Sequence, residues 1–495
     1  MRLTSAKKRE TITDNPGGFQ NQLIAIFQKR TSRHGTASCC LPGYNDGSSA
    51  EPIDNGKKTA PLPAMTSFFN KIFLFFIMLS LCCGFYCRSS RAEILITPGL
   101  SLGHTYTDNL YLTEENEEYD YITTVTPAVD ISLTGRRCDL TLGYAPSYAF
   151  YDRFPENDTL RHEAEMTATL DITSRTRLEG SDFFLHTETP VAEYHFMIEE
   201  TETTLRRGRD TYHTNTAAID LIHDFGPENQ VDLGFEHYFL DNNDPALDDS
   251  EYHRPFLRCN YWPSPNRVGI EWEARYTRHF FDQAENYEDT TGRLRLIRRF
   301  GPHVDVYGEY THEWTNYAAE GTDYQIYSPL LGLTWHTSSH TTLTATAGAF
   351  IMENEEEERE SGPTGSLTIE YAWPGGSSLT ISGLSGYDRA YTGDENLGFY
   401  EFHRASVLLL IRLTRNLTAE GSGEYLEAIY TEVEPEREDI LWRTGLGLTY
   451  LAFDWMSLAA HYHFRQLDSD LDFNDYTENR GVCTISLMLP RPWRL

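Results

Sequence analysis

From residue 93 onward the chain repeats one unit: a strand-like stretch, a tight turn, a second strand-like stretch and a longer acidic loop. The tight turns fall at Gly135–Arg137, Ser174–Thr176, Gly226–Asn229, Pro263–Asn266, Gly301–His303, Ser338–His340, Pro374–Ser377, Thr414–Asn416 and Phe453–Trp455. Their centres are about 38 residues apart, with one step of about 52 where a single loop is oversized. One hairpin per period, with short and long connections alternating, is what an up-and-down transmembrane β-barrel requires.

Only 40% of the residues are hydrophobic, and nothing after residue 92 approaches a membrane-spanning apolar run. A barrel needs apolar residues at every second position only, so its signal is spread thinly. Val268, Ile270, Trp272, Ala274 and Tyr276 alternate with Gly269, Glu271, Glu273, Arg275 and Thr277; Leu417, Ala419 and Tyr425 oppose Glu420, Ser422 and Glu424. A soluble sandwich would alternate in the same way. Three features favour the membrane form: charges at mid-strand on the polar faces, aromatic residues towards strand ends (Trp272, Trp314, Tyr317, Tyr425, Tyr430, Trp442), and short turns opposed to long acidic loops. The pattern predicts an all-β fold: about twenty antiparallel strands between 94 and 489, or eighteen if the first hairpin lies outside the wall. The short turns face the periplasm, and the acidic loops (107–118, 188–210, 241–251, 353–362, 388–398, 429–439, 467–475) face outside.

Residues 72–85 form the one continuous apolar stretch, with Lys71 before it and Ser90 and Ala92 supplying the small residues of a cleavage site. Residues 65–92 therefore read as a signal peptide and 93–495 as the barrel, placing the protein in a bacterial outer membrane. Residues 1–64 read as a polar, disordered leader. Translation from Met65 is the simplest account of it, and a disordered cytosolic extension the alternative.

Residues 1–92 hold 12 of the 41 Lys+Arg and 5 of the 74 Asp+Glu, so the rest carries 29 arginines, no lysine and 69 acids. That excess excludes nucleic acid as a partner, because each phosphate contact needs a cation. Expected partners are outer-membrane lipid and lipopolysaccharide, polysaccharide or small solutes, and divalent cations at the acidic runs Glu353–Glu358 and Asp241–Asp249. Cys138, Cys259 and Cys483 are too scattered for a disulfide framework or a metal motif.

A barrel of this size encloses water unless something fills it. The polar faces put Asp232, Glu236, Glu271, Glu273, Arg275, Arg293, Arg295, Asp305, Glu309, Glu313, Glu420, Glu424, His461, His463 and Arg465 on the candidate pore wall. Dominant carboxylates at a constriction would favour cations; the plainer alternative is pairing across neighbouring strands along a wet wall. The loop 188–210, with Arg206, Arg207 and Arg209, is a candidate constriction. No Ser or Asp can be tied to His461 and His463, so no catalytic site, cofactor or resident metal is expected. A closed barrel with a surface structural or binding role, and a barrel hydrolase, are the alternative functions.

The segments Ser101–Tyr111 (SLGHTYTDNLY), Ile122–Pro127 (ITTVTP) and Tyr144–Tyr148 (YAPSY) resemble the opening of a family of outer-membrane β-barrel porins. That group includes the barrel proteins associated with exosortase and exopolysaccharide loci. The resemblance covers about the first hundred residues after 92, and implies a porin-like channel serving exopolysaccharide export. The ending Pro490–Leu495 departs from the aromatic terminus on which many barrels close.

Overall fold

The computed structural model describes residues 93–190, 208–318, 322–354, 359–392, 395–431, 437–471, 474–489 and 492–494. The leader and signal-peptide readings for 1–92 lie outside them.

Twenty strands run in sequence order, each antiparallel to the next. They are β1 (Glu93–Thr107), β2 (Asp120–Thr134), β3 (Cys138–Tyr151), β4 (Thr159–Asp171), β5 (Thr176–Thr187), β6 (Tyr212–Asp224), β7 (Gln230–Asn242), β8 (Ser250–Ser264), β9 (Val268–Phe281) and β10 (Tyr287–Phe300). There follow β11 (Val304–Tyr317), β12 (Tyr324–His336), β13 (Thr341–Asn354), β14 (Arg359–Ala372), β15 (Ser378–Thr392), β16 (Glu395–Arg412), β17 (Leu417–Tyr430), β18 (Arg437–Phe453), β19 (Met456–Ser469) and β20 (Tyr476–Met488). The sheet closes where Gly99–Thr107 of β1 pairs with Arg480–Met488 of β20, so the first hairpin is in the wall. A two-residue β21 (Trp493–Arg494) extends the seam, pairing with Ile96 and Leu95. The chain's ending thus does engage the wall, through Trp493.

The nine tight turns are those read from the sequence. Asn266, Gly301 and Gly376 hold left-handed backbone there (φ 60, 73 and 85), which suits Asn and Gly. Elsewhere hydroxyls shape the turn: Thr173 Oγ1 accepts from Arg175 N, and Thr414 Oγ1 from Asn416 N. The acidic ends differ more from expectation. Much of 353–362, 388–398 and 429–439 is strand, because above a membrane both strand faces meet water and alternation is no longer required.

Which face is concave follows from contacts between strands that are not neighbours. Tyr387 on β15 donates a hydrogen bond to Glu313 on β11 (3.2 Å), a reach possible only through the interior. On that side lie buried Arg254, Glu273, Arg443 and Arg465, while Leu294, Leu296, Leu331, Leu446 and Leu448 are exposed on the other. This inversion of the soluble pattern marks a lipid-facing surface. Exposed Phe225, Tyr261, Phe300, Trp335, Trp373 and Trp455 ring the short-turn end; Tyr106, Tyr121, Phe150 and Trp442 ring the loop end. Two of the aromatic residues assigned to these girdles belong inside instead. Tyr430 is fully buried, and Tyr317 packs against an interior cluster, because each sits on the inward parity of its strand.

Leu331, 71% exposed and opposite Gly308 and Ala347, stands alone at mid-strand on the outer face. Leu331→Arg should cost roughly 2–4 kcal/mol. Reversible denaturant unfolding in lipid vesicles measures it, and an unchanged stability would argue against lipid contact at this position.

Candidate functional site

With strands about 4.8 Å apart and tilted about 40°, closure around twenty strands gives a backbone diameter of about 40 Å, more than wall side chains alone can fill. The functional surface is therefore the inner wall, and register decides what it presents.

Direct cross-strand opposition sets Asp232, Arg258, Glu273 and Arg293 in one row from β7 to β10, and Glu271, Arg295 and Glu309 in the next. Glu273 takes Arg293 (2.8 Å), Arg275 (2.9 Å) and Arg258 (3.4 Å); Arg258 also reaches Asp232 (3.8 Å). Arg295 spans Glu309 (2.5 Å) and Glu271 (3.3 Å). Glu236 binds Arg254 (2.9 Å) and the Tyr252 hydroxyl (2.7 Å), and Asp305 pairs with Arg299 (3.3 Å). On the opposite wall Glu424 receives Nε of both Arg404 (3.0 Å) and Arg443 (2.8 Å), while Arg465 lies 4.0 Å from Glu478. His461 and His463 stack with centroids 6.2 Å apart, His461 lying over Gly447 beside Glu420.

All fifteen sequence-derived wall residues thus fall on the inner face. The sequence reading missed their partners Arg254, Arg258, Arg299, Arg404 and Arg443. Nine carboxylates against four arginines suggested an acid-dominated wall; five further arginines pair with those carboxylates across neighbouring strands. The plain alternative, pairing across strands, is what the geometry displays. In the loops Asp248 and Asp249 work locally: Asp248 accepts backbone N–H groups of Asp282, Gln283 and Ala284, and Asp249 that of Asn242. Burial holds the Asp249 carboxyl above its ordinary range, against the backbone N–H of Asn242, which lowers it.

At the loop end, inward-facing apolar side chains pack into clusters along the wall. Tyr400, Phe402, Leu426, Tyr430, Leu441, Leu467 and Tyr476 form an inward cluster from β16 to β20, and Leu112 of the β1–β2 loop joins it from across the seam. Leu110 of the same loop inserts between Ile122, Ala149 and Tyr151. Arg209 clamps this loop from above β6, donating through Nε and Nη2 to the Leu110 carbonyl (3.1 and 2.9 Å). Of the loop 188–210 expected to form a constriction, 191–207 lie outside the described residues; at its ends Glu188 and Arg209 are buried, beside the buried Leu110 and Leu112 of the β1–β2 loop. Arg206 and Arg207 lie outside the described residues.

The string Thr107-Asp108-Asn109 ties this loop to the seam. Thr107 donates to Glu478 (2.9 Å), Asp108 accepts from the backbone and side chain of Asn479 (2.7 and 2.8 Å), and Asn109 donates to the carbonyls of Thr113 (2.7 Å) and Thr477 (3.0 Å).

A closed antiparallel barrel with a lipid-facing apolar exterior and a charged interior is the architecture of outer-membrane β-barrels. Residues 93–253, from β1 into β8, match the family described as "Putative beta-barrel porin 2", bearing out the resemblance carried by the opening strings. No curated protein matches the sequence. Among solved structures, the FrpB iron transporter from Neisseria meningitidis aligns over 79% of this chain and 82% of its own at 8% identity, TM-score 0.50. A ferric enterobactin receptor (PfeA) mutant from Pseudomonas aeruginosa aligns over 80% of each chain at 9% identity, TM-score 0.48. OccK2 (OpdF) from the same organism aligns over 80% of this chain and 98% of its own at 12% identity, TM-score 0.41. At 8% identity the likeness to FrpB speaks for the fold alone.

Proposed function

We propose that the protein is a passive outer-membrane channel for hydrophilic solutes, with exopolysaccharide as its cargo. The wide ring lined by charged rows carries the channel reading. The cargo rests on the resemblance of the opening residues, and the paired rows support it: fixed ion pairs give a glycan hydrogen-bonding edges. The test is single-channel recording of the full chain in planar bilayers under a salt gradient. Stable steps with only a modest cation preference, set by the acidic loops, are expected. A folded barrel that passes no current would transfer the function to the loops, as in the closed binding barrel. A strong cation preference, above about tenfold, would mean that the wall pairs do not hold in the conducting state.

A further inference from the structure

On the outer face of the β7–β8 hairpin, just below its loop, three side chains with metal-ligand chemistry converge. His237 and His253 are direct cross-strand partners, and Glu251 stands two residues before His253 on the same face. One oxygen, Glu251 Oε1, lies 3.3 Å from His253 Nε2 and 3.7 Å from His237 Nδ1, which also lies 3.3 Å from the Tyr252 carbonyl, a contact that metal binding would replace; one ligand atom from each residue falls within 4.8 Å of the others. Tetrahedral coordination at about 2.0–2.1 Å puts ligand atoms about 3.3 Å apart, so two edges of such a tetrahedron are already nearly drawn. Neighbouring rings hold the two imidazoles in place. Their centroids are 5.0 Å apart, Phe235 stacks on His253, Phe280 meets it edge-on and Phe239 flanks His237. Arg278, opposite His253 on β9, is the nearby cation of concern, and its guanidinium is turned to Glu288 at 3.3 Å.

We propose that His237, Glu251 and His253 form a binding site for a divalent transition metal of the zinc class, completed by water. Two imidazoles with one carboxylate suit zinc and its neighbours, and disfavour calcium and magnesium, which take oxygen ligands. The site faces away from the lumen, so it is independent of the channel reading; bound metal cross-links β7 to β8 at the outer rim.

The full chain in detergent micelles, titrated with Zn²⁺ against a chromogenic chelator, tests it. One site per chain is expected, weakened about a hundredfold in each of His237→Ala, His253→Ala and Glu251→Gln, with ion conductance unchanged. Heat-modifiable electrophoretic mobility reports that each variant is folded. Cu²⁺ bound to the unaltered protein should show coupling to two imidazole nitrogens in its electron paramagnetic resonance spectrum, a result that needs no variant. No binding above the micelle blank, coupling to fewer than two nitrogens, or full affinity in the folded His237→Ala/His253→Ala double variant overturns the assignment.

Discussion

Replacing residues 109–117 by a short Gly-Ser turn should raise the unitary conductance about twofold or more, because current through a wide barrel is limited by its narrowest cross-section. This segment packs against the inward-facing clusters, with Asn109, Leu110 and Leu112 almost wholly excluded from solvent. Leu112 holds left-handed backbone (φ 53), an uncommon conformation for a branched residue that the surrounding cluster must support. Asn109→Ala should reproduce part of the effect, since it removes the donors to Thr113 and Thr477 and leaves both strands intact. Arg209→Ala frees the Leu110 carbonyl and should act in the same direction. Current–voltage records on all three variants separate the possibilities. Unchanged conductance in the loop replacement would show that the constriction lies elsewhere, with the belt of paired charges the next position to cut.

The wall was largely legible in the sequence. Alternation at period two, punctuated by Gly, Asn and Ser/Thr turns, defines each strand locally, and the nine short turns fell where the sequence placed them. What stayed hidden depends on register between strands. Arg254 and Arg258 are as visible in the sequence as Glu273, but which arginine meets which carboxylate is set by the stagger of closure, to which no single strand testifies. His237, Glu251 and His253 escaped notice for the same reason. Thr107-Asp108-Asn109 was noticed as a string, yet its role needs β20, some 370 residues away in sequence and adjacent in space. Tyr430 was within reach: Tyr425, five residues earlier, faces outward, and an odd step reverses the face. Among the described residues, much of the acidic stretches 353–362, 388–398 and 429–439 read as loops is strand standing above the lipid, where charge carries no information about pairing.

Glu424→Gln should be the most destabilising of the wall substitutions, by roughly 3 kcal/mol. Its carboxylate is the shared acceptor of two guanidiniums from the flanking strands, Arg404 on β16 and Arg443 on β18, and their side chains are only 12% and 9% exposed. Removing the charge takes from two nearly buried guanidiniums the carboxylate they share. The effect should exceed that of Glu271→Gln, since Arg295 keeps Glu309 when Glu271 is neutralised. Replacing the whole triad, as Glu424→Leu with Arg404→Met and Arg443→Met, should restore most of the loss, because taking out all the charges removes the desolvation cost along with the attraction. Equilibrium unfolding in lipid vesicles orders the variants. If Glu424→Gln matched the unaltered protein to within about half a kcal/mol, the pairs would be those of a solvent-exposed surface. The wall would then be a layer of mobile, hydrated charges, and the cation preference that fixed pairs suppress would return.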